Sequence, residues 1–529
     1  MLETVRGRRG MVTSPHHLAS AAGRDVLRAG GTAVEAVVAT AAMLAVVYPH
    51  MNHVGGDGFW LIAEPGRDPV GIDAAGAAGA RVDDTLYAAA GLSAVPTRGP
   101  LAANTVAGTI SGWEEALAIS AGWQAPLPLA ALLEQAIWYA ENGYPVTRSQ
   151  HELTAGKRAE LEPSPGWADA FLDAGEVPAV GALQRQPALG AMLRRLAAAG
   201  LSDFYRGETA RAIAADLAAA GSPIGADDLA GHRARRVTPL EVAIPGARLF
   251  NMTPPTQGVA SLMILAIFAR LGVGTGEGFE HVHGLVEATK RAFLARDAHV
   301  GCPSAMTIDP ASLLADARLD AEAAAIDRAR AAPWPHPPVP GDTVWLGAVD
   351  GEGRAASFIQ SIFFEFGSGV VLPQTGVLWQ NRGSSLRLDG AGPRRLAPGR
   401  KPFHTLNPAM ARFDDGRSIV YGTMGGEGQP QTQAAVFSRY ALFGQDLQAA
   451  VTAPRWLLGK TWGEGTVGLK LEDRFPPDLV AALRAAGHDV ELLPAFTSTM
   501  GHAGAIVRHA DGRLEGATDP RSDGAVGAW

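Results

Sequence analysis

Near the start of the chain the apolar residues fall at helical spacing. Leu18, Ala22, Val26 and Leu27 share one helix face, with Ser14-Pro15 reading as N-cap and first-turn proline and Gly30-Gly31 as the stop. Residues 32–47 are apolar on almost every side, the pattern of a helix buried all round. Residues 59–63, Phe-Trp-Leu-Ile-Ala, are a short continuous apolar run and predict a strand. From 101 to 231 alanine-rich helical segments are broken by glycine. Strands are predicted within 237–250, and helices over 259–271 and 281–299.

Beyond residue 342 the period changes. Residues 343–349 and 355–364 read as two strands joined by the turn Asp350-Gly-Glu-Gly353. Further strands are predicted at 377–380, 419–422, 490–493 and 505–507, and helices over 431–442 and 476–486. A helix-rich first part feeding a strand-rich second part predicts an α+β fold with sheets stacked between helical layers.

Composition narrows the function. With 529 residues, 47% hydrophobic and 19% charged, the chain can bury a large core. A net charge of −8 without any basic run argues against nucleic acid as a partner. The longest apolar stretch, 36–48, is too short to span a membrane, and the first ten residues lack the apolar core of a signal peptide. The single cysteine, Cys302, cannot form an internal disulfide; it fits a reducing, cytoplasmic compartment and is also compatible with the periplasm. His50 and His53 have no third ligand of suitable type nearby and read as loop histidines, so neither metal nor cofactor is expected. Gly459-Lys-Thr461 looks like the end of a phosphate loop, but Pro454 stands where the leading glycine belongs.

The candidate chemistry lies at one peptide bond. A proline-loaded run, Pro333-Trp-Pro-His-Pro-Pro-Val-Pro-Gly-Asp342, meets the apolar strand that starts at Thr343. A stiff arm entering a strand is a good place for a cut. A threonine with a free α-amino group then carries nucleophile and base in one residue. Taken alone, the stretch also reads as an ordinary linker ahead of a strand.

Motifs in order along the chain extend this reading. They include Met11-Val-Thr-Ser-Pro-His16, Gly55-Gly-Asp-Gly-Phe59, Thr105-Val-Ala-Gly-Thr-Ile-Ser-Gly112, Pro254-Pro-Thr-Gln-Gly258, Phe366-Gly-Ser-Gly369, Gly425-Gly426 and Gly501-His-Ala503. On these the chain resembles the γ-glutamyltranspeptidase family, a branch of the N-terminal-nucleophile hydrolases. The resemblance implies a four-layer αββα sandwich and self-cleavage between Asp342 and Thr343. It implies a large subunit, 1–342, and a small subunit, 343–529, intertwined in one folded unit, with a small-molecule substrate and further homo-oligomerisation left open. It places the nucleophile, and through its α-amino group the base, at Thr343, an orienting hydroxyl at Ser361, and oxyanion-binding backbone N–H groups at Gly425 and Gly426. The family's paired serines fall on His404 and Thr405, where His404 reads either as a substrate contact or as a structural histidine.

The glutamyl-reading positions depart from the family. The carboxylate-binding arginine aligns with Ala75, and the ammonium-binding residues align with Phe363, Arg382 and Ser385. An ammonium beside Arg382 would be repelled, and a buried unpaired charge costs on the order of several kcal/mol. A guanidinium instead favours a carboxylate, and Trp345, Phe364 and Trp379 narrow the pocket or belong to the core. The run Asp342-Thr-Val-Trp345, with Gln360-Ser-Ile362 and Trp379-Gln-Asn-Arg-Gly383, resembles the family's oxamate amidohydrolase branch. That resemblance implies hydrolysis of oxamate to oxalate and ammonia, within purine degradation. The alternatives are a γ-glutamyl hydrolase or transpeptidase, a cephalosporin-type acylase, and a non-catalytic scaffold of the same fold.

Overall fold

The structure, a computed structural model, describes residues 2–334, 342–459 and 466–529. Most of the proline-rich run before Thr343, and two residues of the Gly459-Lys-Thr461 match, lie outside the described residues.

Two seven-stranded antiparallel sheets form the centre. One runs, edge to edge, through Val5–Gly7, Leu514–Thr518, Ala503–Arg508, Ser418–Thr423, Ala409–Phe413, Ala247–Asn251 and Leu240–Ile244. The other runs through Ala525–Ala528, Gly10–Ser14, Asp342–Asp350, Ala355–Phe363, Asp57–Ala63, Val70–Ala74 and Arg235–Val237. The sheets stack face to face over a core that includes Met11, Phe59, Leu61, Trp345, Ile359, Met410, Val420 and Ile506. Helices His17–Arg28 and Ala33–Val47 cover the outer face of the second sheet, and Gly258–Leu271 and Gln429–Phe437 cover the first. The result is the expected α+β, four-layer αββα arrangement. Both sheets contain strands from before and from after the Asp342–Thr343 bond.

Local chemistry explains the key elements. Ala33–Val47 is buried at every residue and starts with a reciprocal cap: Thr32 Oγ1 accepts from the Glu35 N–H, and the Thr32 N–H donates to Glu35 Oε2. The Asp342–Asp350 strand pairs with Gly10–Ser14 on one side and Ala355–Phe363 on the other. With no solvent face left, its apolar run is what an interior strand requires.

Three expectations are corrected. The helix predicted to be capped by Ser14 starts at His17, and the His16 ring accepts from the Leu18 N–H. Ser14 is held as the last residue of a strand paired on both flanks. Residues 377–380 form isolated bridges, Val371 to Leu378 and Gly55 to Trp379, and not a strand, because their neighbours are loops. The helix predicted over 431–442 starts earlier, at Gln429, and changes at Ser438 to a wider π turn.

Trp345 is a wedge between the sheets. Its Nε1 donates to Ser357 Oγ at 2.9 Å, and a Cβ on Gly422, Gly347 or Gly504 would overlap its ring. It is therefore core and does not line a pocket. Gly422→Ala is expected to destabilise the fold by about 1–3 kcal/mol, the usual cost of overpacking. Chemical unfolding of the variant beside the parent checks this, and an unchanged midpoint would contradict the wedge.

Candidate functional site

Thr343 sits at an irregularity of the central sheet. Asp342 pairs with Phe363 and Val344 with Gln360, so the register shifts at Thr343. Phe363 has φ 82°, a left-handed conformation that costs a non-glycine residue about 1–3 kcal/mol. The Ser361 hydroxyl accepts from the Phe363 N–H at 2.8 Å and helps hold this bend. Ser361 Oγ lies 3.5 Å from Thr343 Oγ1, a long approach for two hydroxyls. Gln429 Nε2 donates to Thr343 Oγ1 at 3.2 Å, while its Oε1 accepts from the Asn407 N–H. Thr343 and Ser361 are fully buried.

Arg382 points into the same place. Its guanidinium donates to Ser361 Oγ at 3.3 Å and to Thr405 Oγ1 at 3.4 Å, and lies 4.0 Å from the centre of the Phe363 ring. Phe363 is thus a platform under the cation. Burial lowers the Arg382 pKa to about 9, against the opposing pull of Asp57. The Ser385 hydroxyl faces the carbonyl oxygens of Arg382 and Phe403, so it braces the turn that carries Arg382.

His404 is buried, with Nε2 3.3 Å from Asp57 Oδ2. That spacing is short, but the angles are poor, and both atoms lack a well-formed hydrogen bond among the described residues. The contact is therefore a close approach between neutral or partly charged groups, since desolvation, with Arg382 and Lys401 adding to it, holds the His404 pKa well below its usual value. Asp57 Oδ1 accepts from the N–H groups of Gly76 at 2.9 Å and Gly108 at 3.0 Å. Burial raises the Asp57 carboxyl pKa to about 7 despite these donors and Arg382.

Gly425 and Gly426 follow the Ser418–Thr423 strand, with φ 117° and 53°. Those left-handed conformations need glycine. Among the described residues neither N–H has a hydrogen-bond acceptor. Gln257 fastens this loop to the 404–405 segment: its Nε2 donates to the carbonyls of Thr405 at 2.7 Å and Gly426 at 2.9 Å. Its Oε1 accepts from Arg296, which also pairs with Glu427 at 2.9 Å.

Thr343, Ser361, Phe363, Arg382 and Thr405 are therefore brought together, with Ser385 and His404 at their edge. Sequence reasoning missed Asp57, Gln257 and Gln429. The signal for two of them was present: Asp57 lies inside Gly55–Phe59 and Gln257 inside Pro254–Gly258, both singled out as motifs. Ser385 carries no acid where the family has one, but Asp57, on the strand paired with the one that carries Ser361, places a carboxyl near Arg382.

Other features stand apart. Trp379 donates its Nε1 to the Thr105 carbonyl and belongs to the core, whereas Phe364 is half-buried with the Arg98 guanidinium 5.6 Å from its ring centre. His50 lies 3.0 Å from Ser149 Oγ, and His53 Nδ1 accepts from the Leu378 N–H. His283, Glu287 and His488 cluster closely enough to ligate a cation, but Lys290 bonds to Glu287 at 2.7 Å and the two histidine rings bond to each other at 2.8 Å. A cleft of about 930 Å³ is lined by Asp73, Ala75, Val106, Arg235, Cys302 and Lys401. Thr343 is not among its walls, but the Ala75 and Val106 stretches that line it lead directly to the N–H groups holding Asp57.

The chain is 56% identical over 521 residues to the oxamate amidohydrolase proenzyme of Klebsiella pneumoniae, covering 98% of both chains. It is 40% identical over 532 residues to a glutathione hydrolase-like proenzyme of Bacillus subtilis, covering 99% of both. Among solved structures, a cephalosporin acylase from Bacillus halodurans superposes with a TM-score of 0.91 at 34% identity, over 100% of this chain and 97% of that one. The sequence profile described as Gamma-glutamyltranspeptidase matches residues 19–529, and the chain belongs to that family.

Proposed function

We propose that this amide-bond hydrolase is a self-processing enzyme in which Thr343 is the nucleophile and a small carboxylated amide, oxamate first, is the substrate. The observation that carries the reading is the convergence on the buried Thr343 hydroxyl of Ser361, Gln429 and, through Ser361, the Arg382 guanidinium.

The chemistry would run in two stages. In the precursor, Thr343 Oγ1 attacks the carbonyl carbon of residue 342. The acyl group passes from nitrogen to oxygen, and water then cleaves the ester to leave Thr343 at a new N-terminus. Its amine, with an ordinary pKa of roughly 7.7–8.0, takes the hydroxyl proton when a substrate amide binds. The hydroxyl attacks the amide carbon, the Gly425 and Gly426 N–H groups receive the oxyanion, and the proton passes to the departing ammonia. Water enters by the same route and releases the acid. Because strands from both sides of the bond share both sheets, the segments 1–342 and 343–529 would remain one folded unit after the cut.

Substrate choice follows from charge. Arg382, with Thr405 beside it, offers a carboxylate partner close to Ser361 and hence to the reacting hydroxyl. An amide and a carboxylate on adjacent carbons satisfy that spacing, and the 56% identity to a protein named oxamate amidohydrolase supports the same substrate. The proenzyme names of that relative and of the Bacillus subtilis one support the two-subunit reading.

Thr343→Ala is expected to remain one band on a denaturing gel and to release no ammonia, while the parent resolves into two bands. A variant that is still cut would remove Thr343 from the role, and a parent that stays uncut after long incubation would favour a scaffold. Arg382→Gln is expected to raise KM for oxamate at least about tenfold, the scale of one lost charge-assisted contact, with a smaller effect on kcat. Ammonia release from a panel of small amides, with γ-glutamyl-p-nitroanilide turnover measured beside it, checks the substrate; faster turnover of the glutamyl compound would overturn the oxamate reading.

A further inference from the structure

The group that distinguishes this site from a bare arginine pocket is Asp57. It lies directly across from Ser361 in the paired strands Asp57–Ala63 and Ala355–Phe363. Cross-strand partners project to the same face with Cβ atoms about 4.5–5.5 Å apart. Asp57 is therefore next to the hydroxyl that meets both Thr343 and Arg382. One carboxyl oxygen is anchored by Gly76 and Gly108. The other, Oδ2, is fully buried and makes no well-formed hydrogen bond among the described residues; it lies 3.3 Å from the His404 ring, and the Gln380 amide is close enough to pull the carboxyl pKa down. Arg382 Nε and both His404 ring nitrogens are likewise buried without a partner. Buried polar atoms are normally satisfied, and a convergent set that is not marks a place for a polar ligand.

Resting on the substrate reading above, we infer that Asp57 is a specificity-determining residue that supplies a removable counter-charge to Arg382. An incoming carboxylate takes over the guanidinium as the Asp57 carboxylate accepts one proton from solvent. Two carboxylates cannot both stay ionised around one buried cation, so the second must be neutralised. Neutral His404 adds no compensating charge. The balance is one anion and one proton taken up together, with no other bond made or broken.

This arrangement explains why the site selects a small acid while repelling a zwitterion. A substrate ammonium would meet the Arg382 cation, and Asp57, the nearby acid among the described residues, already faces that cation. A carboxylate meets a guanidinium whose existing partner can be neutralised at near-neutral pH, since burial holds the Asp57 carboxyl near 7 in the resting site. The other charged or titratable groups facing this region are Lys401, paired with Asp73 at 2.7 Å, and Tyr205, whose hydroxyl donates to the Ala107 carbonyl. After a cut the Thr343 amine joins them, and it is common to parent and variant.

The sign follows. Below about pH 7 Asp57 is protonated and the carboxylate binds an uncompensated cation. Above that pH each binding event must take up a proton, so KM rises by up to about tenfold per pH unit. Asp57→Asn keeps Oδ1 for the Gly76 and Gly108 donors but cannot take up the proton. Its KM for oxamate is expected to change less than about twofold between roughly pH 6.5 and 8.5, where the parent rises about tenfold or more. An equal slope in both proteins, or a flat parent, would overturn the inference. Carboxyl carbon NMR of aspartate-labelled parent protein gives a second reading that needs neither turnover nor the variant. The Asp57 resonance should titrate near neutrality and move to higher pH when oxalate is added. A midpoint in the ordinary carboxylate range, or one that oxalate leaves in place, would also overturn it. Absence of oxamate turnover, with an oxalate-sensitive Asp57 titration, would reject oxamate as substrate and leave the counter-charge standing.

Discussion

Everything near Thr343 depends on the pairing of the Asp342–Asp350 strand with neighbours on both sides. Gly10–Ser14 pairs with its Gly347–Asp350 half and Ala355–Phe363 along its length, and the Trp345 wedge fixes its distance from the facing sheet. Regular pairing would carry the strand past the site as an ordinary ladder. The register shift at Thr343, opposite the left-handed Phe363, breaks the ladder at one residue and turns its hydroxyl toward Ser361 and Gln429. The Ser361 hydroxyl, bonded to the Phe363 N–H, helps hold that bend in place.

A second constraint is electrical. Arg382, Asp57 and His404 are all removed from water; burial penalises each charged form, and the opposite charges of Arg382 and Asp57 offset only part of that cost. The fold meets that cost with a ring face under the guanidinium, two hydroxyls at its tip and two backbone N–H groups on the acid. It leaves a few polar atoms unpaired where they face one another. The same packing that shapes the site therefore leaves it poised to exchange one negative charge for another.

Behind the site a chain of amides and ions ties loops from distant parts of the sequence. Gln257 bridges the Thr405 and Gly426 carbonyls, and Arg296 links Gln257 to Glu427. The Glu472, Arg521, Asp519 and Arg455 side chains form a further buried network, with Arg521 within 2.6 Å of Glu472. Such networks hold the glycine pair at a set distance from the central strand. A loop carrying two left-handed glycines has no stiffness of its own.

Local signals in the chain determined much of this. The nearly all-apolar run at 32–47 pointed to an interior helix, the 343–349 and 355–364 runs to a strand pair joined by a glycine turn, and the motif order to the family. The positions of Ser361, Arg382 and the glycine pair follow from the resemblance to the family; their own residue types do not single them out. Local patterns misread Ser14 and residues 377–380 and left Trp345 open between pocket and core, because the neighbours that decide pairing or burial lie far along the chain. Asp57 is the clearest case. In the sequence it is an acid inside a glycine run, and nothing there says that Ser361 lies opposite or that Arg382 is near. Only the tertiary structure joins them, because charge coupling acts through space and depends on which strands the sheet makes neighbours.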